Sequence, residues 1–233
     1  MTDHELFQIR PIGTIESPYK QKFGTPRQSQ LNQETTGKII FDKEVMPDGS
    51  LDGLEEYSHL WVLFIFHKNN LRNQAGKVKP PRLEGKKMGV LATRSPHHPN
   101  DIGMSLVKIL KIDQQSKLIE FSSVDMIDQT PVIDIKPYIN EYDSVDNSKS
   151  PWLEIETFKI EFTEKVEELL SKREDHLKIK QLITSSFQFD VRNHEDRTNN
   201  LPDKVHKSLI KGLDIHFKYD GTKVLITDCI DIS

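Results

Sequence analysis

The sequence predicts a mainly β protein, with an antiparallel β-barrel over residues 1–145 and a smaller α+β unit over residues 150–233. Three observations carry this expectation. Short apolar stretches of strand length (IGTI, GKIIF, LWVLFIF, MGVLA, LVKILKI, KLIEFSSV and PVIDI) run through the first part, and β-branched and aromatic residues are frequent in them. Helical patterns are missing between most of them, which argues against a doubly wound parallel sheet, and closure of antiparallel strands into a barrel removes exposed edges. The composition then changes at SVDNSKSP, a polar stretch ending in a proline, and helical spacing appears only after it.

Taken in chain order, residues 106–124 read as two alternating strands around the polar centre DQQSK, a hairpin signal. WLEIETFKIEF alternates like a further strand. In TEKVEELLSKREDHLKIKQLITSSF the apolar residues fall at helical spacing through Val166, Leu169 and Leu170 and again through Ile179, Ile183 and Phe187, with Thr163 placed to cap the first helix. The tail, DIHFKYDGTKVLITDCIDI, is two alternating runs joined at Asp220-Gly221, a tight hairpin turn.

Composition narrows the function. A net charge of -4 does not describe a protein coated for nucleic acid, yet Lys77, Lys79, Arg82, Lys86, Lys87 and Arg94 face a single acid, Glu84, over residues 77–94. That leaves room for a local positive surface. Cys229 is the only cysteine, which excludes an intrachain disulfide and a metal site built on several thiolates, and fits a reducing compartment. No apolar run approaches the ~20 residues that span a bilayer, and MTDHELFQIR lacks the pattern of a signal peptide. The expected location is cytoplasmic.

No G-x-G-x-x-G, P-loop or G-x-S-x-G is present. The loop ATRSPHHPNDIGMS at 92–105 holds an arginine, two histidines, an aspartate and several hydroxyls between two apolar runs. His59, His67 and the His97-His98 pair lack metal-ligand spacing, so no metal is expected. Asp125, Asp128 and Asp134 stand at or beyond the end of a strongly apolar strand, where an ionised acid needs a cation or several N–H donors. Asp128, before Gln129-Thr130-Pro131, also suits a turn.

Five segments give these features a common meaning: IGTIESPYKQKFGTPRQ at 12–28, LEEYSHLWVLFIFHK at 54–68, VKPPRLEGKKMGVLATRSP at 78–96, PNDIGMSLV at 99–107 and VDMIDQTPVIDIKPYI at 124–139. In order, they resemble the TsaA-like family of tRNA methyltransferases called TrmO, over about residues 7–145. The resemblance implies a catalytic barrel unlike the Rossmann-type methyltransferases. It also implies S-adenosylmethionine as cofactor, a homodimer with the cofactor near the subunit interface, and methylation of N6 of threonylcarbamoyl-adenosine beside the anticodon of threonine tRNA. Carried over position by position, the cofactor contacts are Pro26, Arg27, Gln28, His67, Lys68, Arg94, Met104, Ser122, Ser123, Val124 and Asp125.

Two departures stand out. The family's aromatic-Arg-Pro-Asn-Pro run is His97-His98-Pro99-Asn100-Asp101 here, so an imidazole replaces a guanidinium and an acid replaces a proline. The C-terminal Asp-Pro-Arg-Pro pattern survives only as Asp190-Val191-Arg192-Asn193, from which Asp190 and Arg192 are carried over as RNA or interface residues. Lys20 and Lys22, with Arg27 and the basic stretch 77–87, are the expected phosphate contacts for an anticodon loop. Asp128 and His67 are the candidates for a base that removes the N6 proton. A non-catalytic RNA-binding barrel and a methyltransferase of small molecules are the alternatives.

Overall fold

The computed structural model describes residues 7–26, 28–29, 33–69, 76–80, 85–149, 157–192, 194–199, 201 and 203–232. Strands β1 (Gly13–Glu16), β2 (Thr36–Phe41), β3 (His59–Ile65), β6 (Ile102–Asp113), β7 (Leu118–Ser122) and β8 (Pro131–Pro137) close into a barrel in the order β1-β2-β7-β6-β3-β8. Every neighbouring pair in it is antiparallel. The period of two is the cause: in β3 the residues Leu60, Val62 and Phe64 are buried while those between them are half-buried. Ile15, Ile39, Val107, Ile119 and Phe121 fill the rest of the interior. Full burial of one such side chain contributes about 1.5–3 kcal/mol, enough in sum to set the register.

The stretch MGVLA does not make a barrel strand. Its first residues form β5 (Met88–Gly89), which pairs with β4 (Lys77–Val78) in a two-stranded arm, and Val90–Ala92 turn into a single 3-10 helix. That turn delivers Arg94 to the rim of the barrel.

After the short helix α1 (Asn140–Asp143), a second sheet is built from β9 (Lys159–Phe162), β10 (His206–Ile210), β11 (Leu213–Asp220) and β12 (Lys223–Asp231), in the order β10-β11-β12-β9. Helices α2 (Glu164–Ser171) and α3 (His176–Phe187) lie in the connection from β9, and α4 (His194–Asn199) follows. Val166, Leu170, Ile179, Ile183 and Phe187 are buried as the spacing predicted, whereas Leu169 stays at the surface. Two local expectations need correction. Asp220 pairs with Lys223 across the sheet, so the hairpin turn is Gly221-Thr222, one residue later than read. Thr163 does occupy the N-cap position of α2, but its side chain makes no cap bond, and its oxygen is buried without a partner among the described residues.

The two halves are joined through the loop that leaves β1. Tyr19 bridges to Ile210, Lys211 N–H donates to Pro18 O at 2.9 Å, and Ser208 Oγ donates to Phe23 O at 2.8 Å. Phe23 stacks on Phe217 and His206 with centroids 6.0 and 6.1 Å away. A barrel loop is thus packed into the second sheet's core.

Candidate active site

The cleft begins where two small residues face into the barrel. Gly103 lies opposite Phe64, and a methyl at its Cα would stand 2.3 Å from the Phe64 ring, so only glycine lets that ring cross the strand. Ser105, two residues on, also points inward and is buried. Phe66 meets Phe64 edge-on at 5.0 Å. Its N–H donates to Asp101 O at 2.9 Å, while Asn69 Nδ2 donates to Pro96 O at 2.5 Å and to Asp101 Oδ1 at 3.3 Å. These bonds fasten loop 94–101 to the end of β3. Asp101 takes φ +49, which a proline at that position does not reach, so the acid found there fits the loop's own geometry.

On the other wall, the chain leaves β7 through Ser123 at φ +71, an uncommon backbone state for a serine and one that often marks functional segments. The turn brings Asp125 to the cleft, where Ser105 Oγ donates to its Oδ1 at 2.6 Å. Gln28, Arg94 and Met104 complete the lining, with Arg94 Nη1 donating to Gln28 Oε1 at 2.8 Å. The cavity between them is about 80 Å³.

Asp125 carries the largest carboxyl perturbation among the described residues: burial drives it up to about 7. Hydrogen bonds from Ser105 and backbone N–H groups, and the charge of Arg94, oppose this and are outweighed. The residue keeps some surface, because one side of it lines the cleft. The close crowding of protein around the rest of the carboxyl is what desolvates it. His98 also lines the cleft, with Nε2 2.9 Å from Thr93 O. A carbonyl only accepts, so Nε2 is the donor in that contact.

A cationic rim adjoins the cleft. Lys20 pairs with Asp128 at 2.7 Å, Lys68 Nζ donates to Lys20 O at 3.2 Å, and Lys22 Nζ donates to Asn69 Oδ1 at 3.1 Å. Partial burial together with the charges of Lys68 and Lys22 lowers His67 below the usual histidine range. For Asp128, burial raises the carboxyl, but Lys20 and the Ser17 N–H outweigh it and hold it below the usual range. Neither Asp128 nor His67 is among the residues lining the cavity.

Of the other expected contacts, Pro26, Ser122, Ser123 and Val124 are buried framework beside the cleft, and Lys68 is on the rim. Arg27 lies outside the described residues, as does Arg82 of the basic stretch. Lys77, Lys79, Lys86 and Lys87 extend along the β4–β5 arm. Asp190 and Arg192 belong to the second unit. Arg192, only 8% exposed, holds Asp190 through Nε and Nη2 at 3.0 and 2.8 Å and stacks over Tyr219 at 3.9 Å.

A larger hollow, about 420 Å³, lies at the far end of β6 between Phe41, Leu51 and Lys117. Its polar lining is the surface pair of Lys117 with the exposed Asp48 at 2.9 Å together with Ser50, Asp52, Gln114 and Gln115, and neither of its acids is buried. Perturbed chemistry rather than volume makes the smaller cleft the candidate site. Among the described residues no cluster of His, Cys, Asp or Glu is placed to hold a metal, and no helix is long and apolar enough to cross a membrane.

The profile of the tRNA-methyltransferase O N-terminal domain matches residues 14–144, more than half of the chain and all of the barrel strands but the first residue of β1. The chain belongs to this family. A relative from Escherichia coli, named tRNA (adenine(37)-N6)-methyltransferase, is 39% identical over 170 residues, 70% of this chain and 72% of its own. One from Pyrococcus abyssi, named a probable S-adenosyl-L-methionine-binding protein, is 36% identical over 65% of this chain and 79% of its own. The mammalian relatives are matched over only 32% of their length. A crystal structure of TrmO from Pseudomonas aeruginosa superposes with a TM-score of 0.78 at 26% identity, covering 97% of this chain and 99% of that one. That overlap extends the shared fold through the second sheet.

Four residues carried over from the family, Gln28, Arg94, Met104 and Asp125, meet in the cleft. Sequence reasoning missed Ser105, Phe64 and Phe66 as lining residues and had His98 only as a departure from the family's loop. A signal for Ser105 was available, since glycine and serine on the inward positions of an otherwise bulky strand mark a hollow in a barrel.

Proposed function

We propose that this protein is an S-adenosylmethionine-dependent tRNA methyltransferase, acting on N6 of the adenine at position 37, in threonine tRNAs that carry the threonylcarbamoyl group. The relatives' names supply the reaction, its position and the cofactor. The observation that carries the reading is the convergence of Gln28, Arg94, Met104 and Asp125, far apart in sequence, on one cleft.

The donor set fits the cofactor. The Arg94 guanidinium suits the carboxylate of an amino-acid end. Phe64, Phe66 and Met104 give a purine or a thioether an apolar wall. Bound there, the cofactor supplies an electrophilic methyl group on a positively charged sulfur. The chain's own part is to orient that methyl against N6 and to exclude water, and such positioning accounts for much of the acceleration in reactions of this kind. Lys20, Lys22 and Lys68 on the rim, with the lysines of the β4–β5 arm, hold the phosphates of a splayed anticodon loop.

A homodimer belongs to the same reading. On the outer face of the barrel Trp61 pairs with Leu106, Leu63 with Met104 and Ile65 with Ile102, three apolar cross-strand pairs where a free sheet face carries polar residues. Ile102 and Met104, exposed by 38% and 46%, run from that face into the cleft. A cavity of about 80 Å³ is below the ~300 Å³ at which ligand pockets usually begin, and a second copy seated on this face enlarges the site around the cofactor. The lone, buried Cys229 fits a cytoplasmic enzyme.

Incubation of the purified protein with methyl-labelled S-adenosylmethionine and tRNA from cells lacking the gene, followed by nucleoside mass spectrometry, tests this. Label on the N6-modified adenosine of threonine tRNA is expected. Binding of tRNA without any binding of cofactor would instead establish a non-catalytic RNA-binding barrel.

A further inference from the structure

The reaction proposed above needs a proton acceptor, since N6 enters with a hydrogen and leaves with a methyl group. We propose that the Asp125 carboxylate accepts that proton, and that Ser105 is the positioning residue that aims it. This rests on the function proposed for the cleft. The two acids and bases favoured by the sequence are placed differently: Asp128 is committed to Lys20 and Ser17 N–H, and neither it nor His67 lines the cavity. Asp125 does line it, and the Ser105 hydroxyl 2.6 Å from Oδ1, with the backbone N–H groups of Ser29 and of Asp125 itself, fixes the carboxyl's orientation at the cavity wall.

The step balances. Asp125 takes the N6 proton as the N6–CH3 bond forms and the S–CH3 bond breaks, its electron pair staying on sulfur. A neutral thioether, a neutral methylated base and a protonated carboxyl result, and the carboxyl returns its proton to water when the products leave. Among the described residues, the titratable groups that line the cavity with Asp125 are Arg94, which favours its ionised form, and His98. Burial, which raises the carboxyl, moves it toward the neutral range in which a general base is most effective.

The resemblance gives Asp125 to the cofactor, and the two roles separate experimentally. A residue that only binds cofactor loses affinity when changed, and a saturating concentration restores the rate. A base loses the rate at saturation. Single-turnover rates at saturating cofactor, cofactor affinity by calorimetry and thermal unfolding are therefore compared for the unmodified protein, Asp125→Asn, Ser105→Ala and Ser105→Thr. The expected result is a rate reduced about 10²–10⁴-fold in Asp125→Asn with cofactor affinity changed less than about tenfold. In Ser105→Ala the acid limb of the rate against pH moves upward, and Ser105→Thr restores it.

A second readout needs no turnover. In the cofactor-free, unmodified protein the side-chain carboxyl of Asp125, followed by carbon NMR, titrates well above the other aspartates, and Ser105→Ala moves it higher still. This measurement stands even where a variant fails to fold. Methyl transfer by the unmodified protein with an unchanged rate in Asp125→Asn, or an Asp125 that titrates with the surface aspartates, overturns this proposal alone. No methyl transfer to any tRNA by the unmodified protein overturns the function and the proposal together.

Discussion

Tyr19, on the loop that leaves the first barrel strand, reaches with its hydroxyl to within 3.1 Å of Ser186 Oγ in α3, 167 residues away in sequence. The same hydroxyl lies 3.2 Å from Thr35 Oγ1, beside β2. The barrel and the second sheet therefore share one buried polar junction, and the loop that makes it carries Lys20 and Lys22 before running on to Gln28 in the cleft. The second unit sets the position of a loop that belongs to the site.

Gly24 gives this junction a test. Its φ is +86, and an added Cβ would stand 2.0 Å from Ser208 Oγ, which is itself held by Phe23 O. Gly24→Ala is predicted to cost about 1–3 kcal/mol from backbone strain and collision. Cofactor affinity falls with it. Because Ser208→Ala removes the nearest atom, the double variant is predicted to lose less than the sum of the singles by about 0.5 kcal/mol or more, measured by chemical denaturation. Strict additivity would show that the close approach is not maintained in solution.

The raised carboxyl of Asp125 predicts a pH dependence of stability. Below an ordinary carboxylate value of 3.8 both the folded and the unfolded chain hold this proton, so the group has no effect on the balance. Between there and about 7 the unfolded chain ionises freely while the folded one resists, and stability falls through that window before levelling above it. Asparagine does not ionise. The melting temperature of Asp125→Asn relative to the unmodified protein is predicted to rise from pH 5 to pH 8, and a difference that stays flat over that range would exclude an acid raised by burial.

Much of this was legible in the sequence, and the losses have physical causes. Alternation of apolar residues gave the barrel strands because one face of each is buried, and Val166, Leu170, Ile179, Ile183 and Phe187 gave the helices for the same reason. MGVLA misled as a barrel strand because a short apolar run does not distinguish a strand from one turn of 3-10 helix. The polar content of the site loop and the family's motifs drew attention to Arg94, Met104 and Asp125. Phe64 stayed hidden inside a run that read as core, since periodicity reports which face is buried and not whether that face encloses a hollow, and Ser105 was one hydroxyl among several in the loop 92–105. The junction through Tyr19 and Phe23 was invisible, because it links residues by packing across nearly the whole chain.

For the rim, Lys22→Gln and Lys68→Gln are each predicted to weaken tRNA binding by a similar factor for every tRNA tested. Each is also predicted to reduce the slope of log affinity against log salt by about 0.7–0.9, the contribution of one phosphate contact. Filter binding across a salt series checks this. A slope unchanged in both variants would move the phosphate path away from these lysines.

For the outer face, Leu63→Asp places a charge among the apolar pairs of β3 and β6 without touching the barrel interior. It is predicted to shift the protein from dimer to monomer in analytical ultracentrifugation while the melting temperature at high dilution changes little. A variant that sediments like the unmodified protein would remove this face from the dimer.

The most direct measurement is a crystal structure of the protein with S-adenosylhomocysteine, the demethylated cofactor. The ligand is predicted in the cleft between β6 and the chain leaving β7, with its carboxylate on Arg94 and with Asp125 at the wall nearest its sulfur. A ligand found in the hollow beside Lys117 at the far end of β6, or a cleft closed over its own side chains at saturating ligand, would contradict the account.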